Sequence, residues 1–404
     1  MSNELPKNWK LVKLGEIGKI ISGGTPSTAV QEYWNGNINW ISPADLTGFK
    51  NKTITKGAKS ISEVGLKKSS ARLMPKGSVL FSSRAPIGYV AIAGSELCTN
   101  QGFKSIIPNE NVDSDYIYYF LKGAKQKAEK VASGTTFKEI SLGKFSELEF
   151  PLPPKSTQLA IVSKIEELFS ELDKGIEQLK TAQQQLKTYR QSVLKWAFEG
   201  KLTNENVKEG ELPEGWKWVK LGDIAKKKSV KALPAENPDA KFIGMDCIEP
   251  HTLKPFFLYD FKEFKSAGNS FKKNQVLYGR MRPYLNKVYR AEFDGTCSGE
   301  FIILDCGEDF NPDLLKYILH SRGFVSFANS ITTGDRPRIS YEEIAGYDVL
   351  YPPILEQNQI VQEIESRLSV ADKMEESINQ SLHQAEALRQ SILKKAFEGK
   401  LANG

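Results

Sequence analysis

The sequence predicts an α+β chain written as two similar halves, each a globular domain followed by one long helix, and three observations carry that prediction. First, "RQSVLKWAFEGKL", from Arg190 to Leu202, returns as "RQSILKKAFEGKL", from Arg389 to Leu401, changed only at Val193/Ile392 and Trp196/Lys395. Second, the match extends backwards without a gap to "PPKSTQLAIVSKIEELFSELDKG" at Pro153 and "PPILEQNQIVQEIESRLSVADKM" at Pro352, and "LPKNWKLVKLGEIGK" at Leu5 answers "LPEGWKWVKLGDIAK" at Leu212. A repeat that fills half of a 404-residue chain is a tandem of large domains; solenoid repeats have periods of about 20–50 residues. Third, residue patterning switches twice from short β-branched and aromatic runs to stretches with apolar residues every three or four positions. The expected division is globular over 1–150, helical over 151–205, globular over 206–350 and helical over 351–404.

In the globular parts, strands are predicted at "NINWIS", "GSVLFSS", "GYVAIAG" and "FKSIIP", and in the second half at "KFIGMD", "NQVLYGR" and "EFIILD", each bounded by turn residues. One helix is predicted in each: "DSDYIYYFLKGAKQKAEKV", capped by Asp113, and "NPDLLKYILHSRGFVSFANS", with Pro312 in its first turn. Trp9, Trp216, Trp34 and Trp40 are read as packing residues.

The helical parts carry a 3.5-residue period, the signature of a coiled coil. Its seam runs through Val162, Ile165, Phe169, Leu172, Ile176, Leu179, Gln183, Leu186, Arg190, Val193 and Ala197, and in the other copy through Val361, Ile364, Leu368, Ala371, Glu375, Ile378, Leu382, Ala385, Arg389, Ile392 and Ala396. Pro153-Pro154 and Pro352-Pro353 mark the starts, and Gly200 and Gly399 the ends. At ~1.5 Å per residue each rod is roughly 60 Å long. Two copies related by an internal pseudo-two-fold perpendicular to the rods must pack antiparallel, which places one globular domain at each end of a spacer. Polar seam residues such as Gln183, Arg190, Glu375 and Arg389 are either partly solvated or set the register of the two rods. Off the seam, Leu159, Ile161, Leu168, Leu194, Trp196, Phe198, Ile360, Met374, Leu388, Leu393 and Phe397 either pack on the globular domains or form a docking surface for a partner.

Composition excludes several functions. Four scattered cysteines and three histidines, with no CxxC pair, argue against structural zinc and a disulfide framework. The opening "MSNELPKNWKLVKLGEIG" has neither a signal-peptide core nor a membrane span, so a cytoplasmic protein with no membrane partner is expected. A net charge of +6 is compatible with DNA but does not require it. "GGTPST" at Gly23 lacks the spacing and lysine of a phosphate loop, and "FPLPPK" and "LYPPIL" do not supply the Asn/Asp-Pro-Pro-Tyr/Phe box of an adenine methyltransferase. Pro238-Asp239 and Glu263-Phe264-Lys265 imitate a nuclease metal motif, a pattern short enough to arise by chance and without a counterpart in the first half. Neither a cofactor nor a metal is expected, and the chain is not expected to be an enzyme.

Duplex DNA has its own dyad perpendicular to its axis, so two similar readers related by a two-fold can meet two half-sites in equivalent poses. Because "VLFSSRAPIGYVAIAG" and "VLYGRMRPYLNKVYRAEF" differ strongly, the half-sites should differ too. The candidate DNA contacts are polar and basic residues at breaks after strands or helices: Ser82, Ser83 and Arg84; Thr135, Thr136 and Lys138; Arg280, Arg282, Tyr284 and Lys287; and Arg336 and Arg338. Arginine can bridge guanine O6 and N7, whereas lysines and hydroxyls more often hold phosphates.

Over essentially its whole length, and most specifically in "RQSVLKWAFEGKL", "FSSRAPIGYVAI", "TNQGFKSI" and "RPYLNKV", the chain resembles the specificity subunits of type I restriction-modification systems. The resemblance implies two target-recognition domains joined by helical spacers, binding to double-stranded DNA without catalysis, and recruitment of two methyltransferase subunits and, for cleavage, two ATP-driven restriction subunits. Many such subunits carry further helical sequence at the N-terminus. This chain starts almost directly with its first domain, so its second rod is expected to return toward that domain. A stand-alone nuclease or architectural DNA-binding protein, and a coiled-coil scaffold, are the competing readings.

Overall fold

A computed structural model describes residues 5–134, 138–204, 207–208 and 211–401. They form two compact units, Met1–Leu179 with Gln380–Gly404, and Lys180–Asn379. In the first, a five-stranded sheet runs in the order Gly18–Ser22, Lys104–Pro108, Val79–Phe81, Val90–Ala93, Thr53–Ile54, and a three-stranded sheet in the order Lys59–Ile61, Trp34–Ile41, Cys98–Thr99. In the second, a four-stranded sheet runs Lys226–Lys228, Phe301–Asp305, Val276–Gly279, Val288–Arg290, beside a five-stranded one, Val230–Ala232, Gly268–Phe271, Gly295–Cys297, Lys241–Ile243, Tyr259–Asp260. Every predicted strand is present within these sheets.

A short antiparallel ribbon closes each globular half: Lys10 pairs with Leu152 and Lys13 with Glu149, as Lys217 pairs with Tyr351 and Lys220 with Asp348. These strands straddle the divisions drawn at 150 and 350. The single helix predicted in each half is broken in two. Asp113 caps Ser114–Gly123 by accepting from Tyr116 N–H, and Lys125–Val131 follows. Pro312–His320 ends at Ser321, whose extended backbone and side chain start Arg322–Ser330 instead. A serine competes with the helix for its own backbone donors, so it favours this capping position over a helix interior.

The two long helices, Lys155–Phe198 and Ile354–Phe397, each contain 44 residues. Ile161, Val162 and Ile165 of the one and Ile392, Leu393 and Ala396 of the other enter the first unit's core around Tyr116, Phe120 and Phe150. Val193 and Ala197, with Ile360, Val361 and Ile364, enter the second unit's core. The last described turns of the chain therefore belong to the first unit, where Phe397 packs 5.1 Å from Tyr116 and 5.3 Å from Phe120. Burying one such aliphatic side chain contributes about 1.5–3 kcal/mol. Helix ends are set by Gly200 and Gly399, at φ 74° and 70°. A Cβ at either would also lie within 2.4 Å of a proline ring carbon, Pro213 or Pro6, so glycine is required both for the left-handed turn and for the close approach.

One buried glutamine ties each long helix to its globular half. Gln158 accepts from Asp113 N–H (2.9 Å) and donates to Asn111 O and Pro153 O; Gln357 accepts from Asn311 N–H (2.8 Å) and donates to Asp309 O and Pro352 O. Seam residues Val162, Ile165, Val361 and Ile364 are buried, and Phe169, Leu172, Ile176, Leu179, Leu368, Ile378 and Leu382 are half-buried. Within the second unit Gln183 donates to Asn379 (2.7 Å) and Arg190 pairs with Asp372 (2.5 Å), so partner numbers fall as helix numbers rise and the helices are antiparallel. Of the off-seam apolar residues, Ile161, Ile360 and Leu393 are buried, while Leu159, Trp196, Met374 and Leu388 are exposed.

Candidate nucleic-acid interface

In the second unit the strand Val276–Gly279 runs out into Arg280-Met281-Arg282, and a distant segment, Pro337-Arg338-Ile339, crosses it. Arg280 N–H donates to Glu300 O (2.9 Å), Arg280 O accepts from Ile339 N–H (3.0 Å), and Arg282 N–H donates to Pro337 O (2.7 Å). Met281 and Arg338 face one another in a β-bridge. Arg282 has φ 54°, left-handed for a non-glycine residue, and Pro283 follows it.

The first unit contains the same crossing. Ser83 N–H donates to Gly102 O (2.7 Å), Ser83 O accepts from Ile140 N–H (3.1 Å), Arg84 bridges Glu139, and Ala85, at φ 45°, precedes Pro86. Position by position, Ser83 answers Arg280, Arg84 answers Met281, Gly102 answers Glu300, and Glu139 answers Arg338. The backbone is shared and the side chains are not, which is what two readers of different sequences require.

The second crossing gathers four of the predicted contacts, Arg280, Arg282, Arg336 and Arg338. Arg338 grips Glu300 with two bonds, Nε to Oε2 at 3.1 Å and Nη2 to Oε1 at 2.9 Å, which holds the Glu300 carboxyl below its usual range. Arg336 and Tyr284 are exposed, the latter in the short turn Pro283–Leu285 next to the crossing. Lys287 is engaged internally: its ammonium donates to Met245 O (2.6 Å), and burial lowers its pKa.

In the first crossing Arg84 and Lys104 flank Glu139, at 3.5 Å and 3.3 Å. Lys104 is 6% exposed, and a buried ammonium requires such a partner. Ser82 and Ser83 are fully buried. Ser82 Oγ donates to Pro86 O and accepts from Tyr89 N–H, and Ser83 Oγ donates to Gly102 O, so these hydroxyls shape the loop. Lys138 is exposed beside Glu139. Thr135 and Thr136 lie outside the described residues.

Lys104, Glu139 and Glu300 carry no signal in the sequence that marks them as part of the site. Nothing local marks a carboxylate whose partner lies tens of residues away. The exposed edge strand Lys226–Lys228, by contrast, is visible in the sequence as a run of three lysines. Among the described residues no group of three or more His, Cys, Asp or Glu could hold a metal ion. Glu263, in the nuclease-like pattern, accepts from Asp260 N–H (2.8 Å) as a turn cap. No described helix is long and apolar enough to cross a membrane.

Residues 6–181 match the family model described as the type I restriction modification DNA specificity domain. The MjaIX specificity subunit of Methanocaldococcus jannaschii is 35% identical over 303 residues, 68% of this chain and 69% of that one. This chain belongs to the type I restriction-modification specificity subunits. The EcoDI specificity subunit of Escherichia coli is 25% identical across 99% of this chain and 90% of its own. A solved chain described under complex assembly and conformational transition of the type I R-M system superposes with TM-score 0.76 at 18% identity, covering 98% of this chain and 99% of its own. The specificity subunit of Thermoanaerobacter tengcongensis does so with TM-score 0.66 at 18% identity, covering 98% of each. These two likenesses show the fold. As a type I specificity subunit, the chain is a DNA target-recognition component of a restriction-modification system.

Proposed function

We propose that each unit reads one half of a bipartite, asymmetric duplex target through its loop crossing, that recognition domains 1–150 and 206–350 act independently, and that the long helices serve as the spacer. The observation that supports this most is the pair of crossings: one hydrogen-bonded backbone, occupied by Arg84 and Glu139 in one unit and by Arg280, Met281 and Arg338 in the other. In this reading Arg84, Lys138, Arg280, Arg282, Tyr284, Arg336 and Arg338 face DNA, with Lys226–Lys228 holding phosphates. Ser82, Ser83 and Lys287 support the loops from within, and Thr135 and Thr136 remain contacts expected from sequence. The chain itself performs no chemistry in the cytoplasm where it acts. It carries two methyltransferase subunits, whose docking surfaces include exposed apolar residues, Leu159 and Leu388 in the first unit and Trp196 and Met374 in the second, and, for cleavage, two restriction subunits.

Exchange of residues 206–350 for the matching domain of a relative, followed by mapping of methylated adenines in cells that express the methyltransferase partner, tests the proposal. The half-site read by the second domain should change while the other stays. A change in both halves contradicts independent reading, and methyl transfer from labelled S-adenosylmethionine by the purified chain alone contradicts the absence of chemistry.

A further inference from the structure

A carboxylate at a surface meant for a polyanion is unfavourable unless it has a task, and Glu300 sits within the crossing that gathers four arginines. Its side chain is 30% exposed. Its backbone carbonyl is fixed by Arg280 N–H, and Arg338 is fixed by the bridge to Met281. Both partners of the ion pair are thus anchored through their own main chains.

The pairing is edge-specific. A guanidinium offers two forks, one made by Nε with one Nη and one made by the two Nη atoms. Glu300 takes the first, and Nη2 also donates, at 4.0 Å, to Met281 Sδ. Nη1 makes no hydrogen bond among the described residues, and the Arg338 side chain remains 50% exposed. Of the terminal fork, which matches the two acceptors of guanine O6 and N7, Nη1 is uncommitted and the second N–H of Nη2 is held only by a thioether, a weak acceptor that a base edge displaces. A free arginine loses rotamer freedom when it is immobilised. Arg338 has lost much of it before any DNA arrives, so its contact is preorganised.

Resting on the reading of the second unit as a DNA reader, we propose that Arg338 is a guanine-reading residue and that Glu300 is its positioning residue, fixing the plane in which its terminal fork is presented. The equivalent position of the first unit holds Glu139 in place of arginine, so the two crossings present opposite charges at the same backbone site. The cooperation of Glu300 with Arg338 belongs to the second half-site alone.

The test uses the full chain with its methyltransferase partner, a pool of duplexes randomised over the second half-site, and sequencing of the methylated fraction. Arg338→Ala should abolish the preference for guanine at one position, and Glu300→Gln, which keeps shape and removes charge, should reduce discrimination at that same position by roughly tenfold. Arg338→Lys, which keeps charge but loses the fork, should reduce it likewise. Every letter of the other half-site should be unchanged, which a loss of folding would not produce. If Arg338→Ala alters one letter and Glu300→Gln alters none, the positioning role fails while the second unit stands as a reader. If both variants weaken all sequences equally, the pair is a phosphate clamp and the inference is overturned. If neither Arg338→Ala nor Arg280→Ala changes any letter of either half-site, the reading of the second unit as a DNA reader fails.

Discussion

Arg190 of the first long helix meets Asp372 of the second, and Arg389 meets Asp173, so the same ion pair is made once in each unit. The surroundings differ: Arg190 also reaches Glu375 at 2.8 Å, whereas the Arg389 guanidinium lies over the Phe169 ring at 4.7 Å. These polar seam positions are engaged across the helix pair, as a register-setting role requires. The acidic partners are well exposed, so screening keeps the contribution small. We expect Arg190→Ala to lower stability by about 1 kcal/mol or less, and the difference from the parent protein to shrink as salt rises from 0.05 to about 0.5 M. Urea titration at the two salt levels checks both statements.

Gln158 and Gln357 are each fully buried, and each satisfies one backbone N–H and two carbonyls. Leucine at either position fills a similar volume but leaves those groups without partners. The expected cost is about 1–3 kcal/mol for each buried group left unsatisfied, so Gln158→Leu should destabilise far more than a surface change. Hydrogen exchange should localise the loss: in Gln158→Leu the amide of Asp113 exchanges faster, and in Gln357→Leu that of Asn311.

His320 ends the helix Pro312–His320 with its Nδ1 buried and without a partner among the described residues. Burial, with His251 and Lys316 nearby, pushes its pKa down to about 4. The folded state thus holds it neutral, while the unfolded chain takes up a proton near its ordinary value of about 6.5. Its contribution is complete above that value, falls as pH drops toward 4, and adds no further slope below. The whole window corresponds to about 3 kcal/mol. Carboxylates with lowered pKa, such as Asp313 and Glu300, titrate below about pH 4.5, so the interval from pH 6.5 to 5 isolates the histidine. In His320→Gln the pH slope of stability over that interval should largely vanish, and an unchanged slope refutes the assignment.

What was legible in the sequence follows from the range of each interaction. The long helices announce themselves because Val162, Ile165, Phe169 and Leu172 bury one stripe at a fixed local period, and Asp113 marks its helix because capping acts over three residues. The ribbon Lys10–Lys13 with Glu149–Leu152 gave no signal: the first strand is mostly exposed, the second contains Pro151, and they pair across most of a domain. The crossings were half visible. Arg280 and Arg338 each stand out by charge alone, 58 positions apart. That Ile339 N–H bonds Arg280 O, and that Glu300 sits beneath them, depends on tertiary closure that no local pattern encodes.

If the helix pair is the ruler between the two half-sites, lengthening it should lengthen the unread spacer. Each long helix contributes to both units. The pairings of Gln183 with Asn379 and of Arg190 with Asp372 set Gln184–Lys187 opposite Glu375–Ile378. Duplicating both four-residue segments lengthens the pair by one turn, roughly 6 Å of rise with a residual rotation of about 40°. One added base pair contributes about 3.4 Å and, at 10–10.5 base pairs per turn, about 35°. Two would match the rise better but overshoot the rotation by roughly 30°, which misdirects every base-edge contact, whereas excess rise can be absorbed by local unwinding of the seam. Orientation therefore decides, and the unread spacer should grow by one base pair with both half-sites unchanged. Mapping methylated adenines with the lengthened chain and its methyltransferase partner measures this directly, and an active complex that keeps the original separation shows that the helices do not set it.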